Sequence, residues 1–281
     1  MSYLARSSWF TRCWTLQELL ASRQRSFCTV DWEVWFTLDG RLTSVKPALD
    51  LPQIDQATQR WADRIEGIAA IPSDALLYPW RISDFSIAQM MSWAAGRQAT
   101  RVEDEAYCLM GLFGVNMPLL YGEGNQAFQR LQHEIVRKST DESIFAWIDN
   151  SDHSGLLAPE PSYFAPCANF TPKNKEENIQ SIVRTPYSIT NMGLDIRGRC
   201  HSGIDGQSHY GTAATFMPLN CYGANGSQCV LVLEHKGGSD DGPRADKYCR
   251  LGLAGSSLDY LQQMSIAGKL DATERQLYIT L

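Results

Sequence analysis

The sequence predicts an α+β protein: a helix-rich N-terminal region over residues 1–148, an irregular linker over 149–178 and an antiparallel β-sheet or sandwich module over 179–281. Three observations carry this expectation. Between positions 100 and 147 apolar residues recur at the spacing that lines one helical face. From 149 to 178 the composition turns to Pro, Ser, Asn and charge, as an irregular connection does. Beyond it come SIVRTPYSIT, GLDIRGRC, TAATFMPLNC, QCVLVLEHKG, YCRLGLA and LYITL, short β-favouring runs separated by Gly, Asn, Asp and Ser.

Residues 7–21 read as the first helix, since steps of about 100° put Trp9, Cys13, Leu16 and Leu20 on one stripe. Phe10 and Trp14 flank that stripe, and Glu18 falls opposite it, one turn after Trp14. SFCTVD suits a short strand, and DWEVWF with the turn LDGR suggests a hairpin or a tight connection. IDQATQRWADRIEGIAAI supplies a helix with Ile54, Trp61, Ile65 and Ile68 at or near the core, after a polar stretch broken by Pro47 and Pro52. Ser83 or Asp84 is expected to cap the helix SIAQMMSWAAGR, whose inward stripe is Ile87, Met90, Met91 and Ala94.

Thr100 and Glu103 fit a capping box at the start of a helix carrying Val102, Ala106, Leu109, Met110 and Phe113. Glu103, Asp104 and Glu105 could hold a hard cation, yet acidic residues already suit a helix N-terminus. NMPLLYGEG then forms a rigid corner, with Pro118 fixing its φ and Gly122 and Gly124 permitting turns. Glycines before a helix expose amides to anions, but YGEGNQAF lacks the Gly-Lys-Ser/Thr of a phosphate loop and Glu123 would repel phosphate. The next helix turns Ala127, Phe128, Leu131 and Ile135 inward and Gln126, Gln129, Arg130, His133, Glu134 and Arg137 outward.

A chain of 281 residues is long enough to bury a substantial core. A formal charge of −6 without a Lys/Arg cluster excludes a nucleic-acid footprint. There is no apolar run of about 18 residues for a membrane span, and no basic start with an apolar run behind it, so no signal peptide is expected. Eight scattered cysteines without a CxxC pair read as reduced thiols of a cytoplasmic protein. Cys200, His201, Cys221 and Cys229 match no standard zinc spacing, so no metal is expected. None of the five histidines sits in a Ser/His/Asp or Cys/His context, and His133 is expected to face solvent.

RVEDEAYCLMGLFGVNMPLLYGEG, AFQRLQHEI and DESIFAW closely resemble the end of the heterokaryon-incompatibility (HET) domain of filamentous fungi and the segment after it. WFTRCWTLQELLA resembles that family's WFTRGWTLQELLA-type helix, so the likeness spans about residues 7 to 147. The family's upstream tyrosine/tryptophan/glycine motif and its Trp-Ile-Asp and Cys-Ile-Asn-Gln strand are absent, which implies the C-terminal part of a HET-type α/β domain plus a downstream module. CWTLQEL is in turn similar to the tryptophan-cysteine-leucine-x-glutamate-leucine helix of TIR domains, whose glutamate takes part in cleaving the nicotinamide–ribose bond of NAD. On that likeness Glu18 would be the catalytic carboxylate beside an oxocarbenium ion and Trp14 an aromatic wall. The competing reading makes Glu18 a solvated residue and Trp14 its packing neighbour.

The resemblance implies a role in fungal non-self recognition and programmed cell death, exercised by a truncated, non-enzymatic interaction module. An NAD-cleaving effector and an inactive relic are the alternatives. The expected partners are other proteins, with self-association through exposed apolar surface, and no cofactor is expected.

Overall fold

The computed structural model describes residues 2–22, 24–39, 55–148, 155–172, 187–191, 193–203, 214–235, 247–254 and 271–279. Pro47 and Pro52, much of the expected linker, His153, His209 and the last two positions lie outside the described residues. The class is α+β, with short helices before residue 170 and an antiparallel sheet after it.

The expected helix over 7–21 is two pieces after α1 (Ser2–Ala5): a 3-10 turn over Ser8–Thr11, then α2 (Thr15–Ala21). A remote strand-like contact causes the break. The Cys13 amide donates to the Gln98 carbonyl at 2.9 Å and the Gln98 amide to the Thr11 carbonyl at 2.6 Å, so these groups cannot serve a continuous helix. The apolar stripe survives, with Cys13, Leu16 and Leu20 buried. A hairpin does follow, with β1 (Gln24–Cys28) antiparallel to β2 (Val34–Asp39), but its turn is Thr29–Glu33 and not the expected LDGR: Leu38 and Asp39 belong to β2, and Gly40 and Arg41 lie outside the described residues.

α3 (Gln56–Ala69) is capped by Asp55, which accepts from the Ala57 and Thr58 amides at 2.9 Å each. Its Trp61 stacks on Phe36 at 3.9 Å between centroids and Phe36 on Phe27 at 4.4 Å, which ties the hairpin to the helix. α4 (Ser73–Leu77) and a 3-10 turn over Pro79–Asp84 lead to α5 (Ile87–Ser92). Its cap is Ser86, paired with Gln89 in a reciprocal capping box, where Ser83 or Asp84 had been expected.

Two expectations at the next helix fail together. α6 covers only Asp104–Tyr107, and its cap residue Glu103 makes no capping bond because the carboxylate points elsewhere. The chain runs on in turns to Gly114, at φ +59°, before the corner and α7 (Gln126–Lys138). Ala127, Phe128, Leu131 and Ile135 are buried on α7, as its spacing predicted, and so is Gln132.

The segment DESIFAW locks three parts of the fold together. Asp141 Oδ2 accepts from the Ile87 amide at 2.8 Å and Ser143 Oγ from the Ala88 amide at 3.0 Å, satisfying the first turn of α5. Glu142 accepts from the Asn220 backbone amide at 2.8 Å and from its side-chain amide at 2.6 Å. Within the span expected as a linker, Leu156, Leu157, Ala158, Phe164 and Cys167 are buried, and a 3-10 turn over Pro161–Cys167 precedes β3 (Thr171–Pro172).

The sheet then runs through β4 (Ser188–Thr190), β5 (Gly193–Gly203), β6 (Ala214–Tyr222), β7 (Gln228–His235), β8 (Lys247–Ala254) and β9 (Asp271–Ile279). Its order is β3-β6-β7-β8-β9-β5-β4, and β5 also pairs with β6. The extra pairing closes β5 to β9 into a five-stranded barrel, with β8 and β9 parallel at two positions and every other pair antiparallel. Leu194, Ile196, Leu219, Leu231, Leu233, Leu277 and Ile279 join the same apolar core as the helices.

Candidate functional site

Glu18 lies on the outer, solvent-exposed side of α2. Its carboxylate accepts a hydrogen bond from the Trp9 indole at 3.2 Å, so the aromatic group it touches is Trp9. Trp14 is 36% exposed, and its backbone carbonyl lies 3.5 Å from the Glu18 amide. A cavity of about 310 Å³ opens beside the other flank of α2, bounded by Leu16, Gln17, Leu20, Ile82, Gly111 and Leu112, and Glu18 is not among its walls. A second cavity of about 490 Å³ shares Ile82, Gly111 and Leu112 and continues toward Lys138 and Asp141. Those two charged residues are already engaged: Lys138 Nζ donates to the Gly114 carbonyl at 2.6 Å, and Asp141 serves α5 and the Ser143 amide.

The corner before α7 is the most organised polar arrangement in the helical region. Gly122 and Gly124 adopt φ of +104° and +59°, which side chains would resist, and turn their amides toward one buried carboxylate. Glu103, 7% exposed, accepts from the Gly122 amide at 2.7 Å and from the Gly124 amide at 3.1 Å. The anion held by this glycine turn is thus one of the chain's own. Its own amide and those of Gly122 and Gly124 hold the Glu103 carboxyl below the ordinary range.

A second network fixes the other side. Arg130 pairs with Glu123 and donates to the Pro118 carbonyl at 2.8 Å. Tyr107 donates to Glu123 at 2.8 Å and accepts from the Leu120 amide at 2.8 Å. Burial first, and the bond to Glu123 second, push the Tyr107 phenol up, which keeps it protonated as a donor.

On the outside of this scaffold Leu119, Leu120 and Tyr121 are exposed, at 51%, 53% and 48%. The Tyr121 hydroxyl donates to Asp104 at 2.9 Å and its ring lies 4.8 Å from the Arg101 guanidinium carbon, so even the exposed aromatic is held in place. The arrangement presents a preset apolar surface.

Among the described residues no group of three or more His, Cys, Asp or Glu is placed to hold a metal ion, and no helix is long and apolar enough to cross a membrane. Cys200, Cys221 and Cys229 are buried and in no disulfide. His133 is half-buried on α7 rather than solvent-facing, and burial lowers its pKa.

Sequence reasoning marked the corner but not its organiser. Glu103 reads in the sequence as a capping-box partner of Thr100 and part of an acidic helix start, and Arg130 as an outward-facing helix residue. The available signal was the pairing of two glycines with a carboxylate about twenty residues upstream.

No solved structure matches the chain. A family model described as "Domain of unknown function (DUF8212)" matches residues 126–182, which cover α7, DESIFAW and the segment packed on α5. The chain is 35% identical over 131 residues to "Vegetative incompatibility protein HET-E-1" of Podospora anserina, a match covering 46% of this chain. That stretch is 8% of the relative's own length, and over it the chain is related to a vegetative incompatibility protein.

Proposed function

We propose that this chain takes part in fungal vegetative incompatibility as a non-enzymatic interaction module, docking another protein on the 118–124 corner in the cytoplasm. The observation that supports this most is the fixed display of Leu119, Leu120 and Tyr121 on a loop clamped by Glu103 and Arg130. A loop ordered before binding loses little conformational freedom on docking, so a small apolar surface suffices. The similarity to HET-E-1 supports the biological setting. Glu18 sits on an open helix face with its carboxylate bonded to Trp9, an arrangement that suits a surface residue better than one enclosing a nucleotide.

The test is expression of the chain in a filamentous fungus, scoring cell death after fusion with an incompatible strain together with cellular NAD. Leu120→Asp is expected to abolish the response while the purified protein keeps its melting temperature, and Glu18→Ala is expected to leave it intact. Nicotinamide release from NAD by purified protein, lost in Glu18→Ala, would replace the interaction reading with the NAD-cleaving one.

A further inference from the structure

Cys13 and Cys108 come from segments far apart in sequence and meet in the core. Cys13 sits at the break between the 3-10 turn and α2, and Cys108 directly follows α6; both are buried. The Cys108 thiol lies 3.5 Å from the Glu105 carbonyl, an acceptor for its proton. The two thiols are in side-chain contact, and that contact is the largest influence on the acidity of each, lowering Cys13 and raising Cys108. Of the two, Cys13 is the sulfur that the contact makes easier to ionise. Asp104 and Glu105 oppose that ionisation, and burial does too.

Beside the pair lies a buried cation with no anionic partner among the described residues. Arg97 is 8% exposed; its Nε donates to the Trp93 carbonyl at 3.0 Å, and its Nη1 to the Arg12 carbonyl at 3.1 Å and Thr15 Oγ1 at 3.0 Å. Its Nη2 is buried and has no hydrogen-bond partner. Burial pushes Arg97 down to about 10, and the charges that counter this are those of Cys108 and Cys13. A buried guanidinium with a spare donor and two adjacent sulfurs is arranged to hold a thiolate. The 310 Å³ cavity is walled by Leu16 and Gln17, one turn after Cys13, and by Gly111 and Leu112, one turn after Cys108; the sulfurs themselves lie behind that wall.

We propose that Cys13 and Cys108, beside Arg97, form an oxidisable dithiol site that consumes a small hydroperoxide and closes an intramolecular disulfide. The Cys13 thiolate attacks the terminal peroxide oxygen; a sulfur–oxygen bond forms, the O–O bond breaks, and the departing alkoxide takes a proton to leave as an alcohol, or as water from hydrogen peroxide. Cys13 is then a sulfenic acid. Cys108 attacks that sulfur, the S–S bond forms, the S–O bond breaks, and hydroxide leaves with the Cys108 proton as water. Two thiols and one hydroperoxide give one disulfide, one alcohol and one water. Arg97 balances the thiolate before the first step and the charge on the departing oxygen during it. The product staples the start of α2 to the segment that carries Glu103.

The test treats the native chain with hydrogen peroxide, blocks remaining thiols with an alkylating agent after unfolding, and maps the peptides by mass. The expected result is a Cys13–Cys108 linked peptide, two hydrogens lighter than its reduced parts. Cys108→Ser is expected to stop at a Cys13 sulfenic acid, trapped by a 1,3-dione, and Cys13→Ser to give neither product. Arg97→Gln should slow the first step by about tenfold if the lost cation raises the Cys13 pKa by one unit. Cys108→Ser preserves the fold test should Arg97→Gln not fold. Recovery of Cys13 and Cys108 as fully alkylated thiols, after exposure that oxidises the surface thiol Cys28, overturns the proposal; so does equal sulfenic acid on Cys108 in the Cys13→Ser protein.

Discussion

Gln132→Leu tests whether a single buried amide fastens the 155–158 segment to α7. Gln132 is fully buried; its Nε2 donates to the Ala158 carbonyl at 2.8 Å, and its Oε1 accepts from the Ala158 amide at 3.0 Å. Ala158 is also fully buried, so leucine leaves a backbone donor and a backbone acceptor without partners. Each orphaned group costs roughly 1–3 kcal/mol, and apolar burial by leucine returns about 1 kcal/mol, leaving a net loss of about 3 kcal/mol. Urea unfolding followed by tryptophan fluorescence reads this as a lower midpoint at unchanged slope. A loss below about 1 kcal/mol for Gln132→Leu would show that water or a shifted backbone satisfies Ala158, and that Gln132 is not the fastening.

Other perturbations follow from the same structure. Glu103 has a folded-state pKa below its ordinary value, so its contribution is fully present above the unfolded-state value and is lost as pH falls through the folded one. The stability gap between wild type and Glu103→Gln should therefore shrink on acidification below about pH 4, measured by thermal melts across pH. Arg25 donates to the Leu19 and Leu76 carbonyls at 2.7 and 2.5 Å, at the ends of α2 and α4; Arg25→Met should cost about 2–4 kcal/mol in denaturant titration. Trp32 holds φ +62° while 87% exposed, so Trp32→Asn should raise stability by about 0.5 kcal/mol in the same titration.

What was legible in the sequence was what depends on neighbours along the chain. The α7 stripe, the β1 strand and the strand-rich texture after residue 179 follow from local periodicity and propensity, whereas the hairpin turns at Thr29–Glu33 and not at LDGR. The helix over 7–21 failed because Gln98, remote in sequence, takes its backbone groups at the break. Glu103 was misread for a related reason: a carboxylate three residues after Thr100 satisfies the capping pattern, but the two glycine amides of the corner bind it instead. Closure of the barrel rests on the β5–β6 and β8–β9 pairings, and no run of residues announces its partner. The site followed the same rule. Leu119, Leu120 and Tyr121 were in view as a corner, whereas the groups that make it rigid are distributed over α6 and α7.

The three adjacent residues Asp141, Glu142 and Ser143 grip the front of α5 and the last part of β6 at once. Helices and barrel therefore share a hinge pin that neither half can surrender alone. Severing the gene near position 148 should give two fragments that precipitate when made separately and recover when co-expressed, and the intact chain should melt in one step.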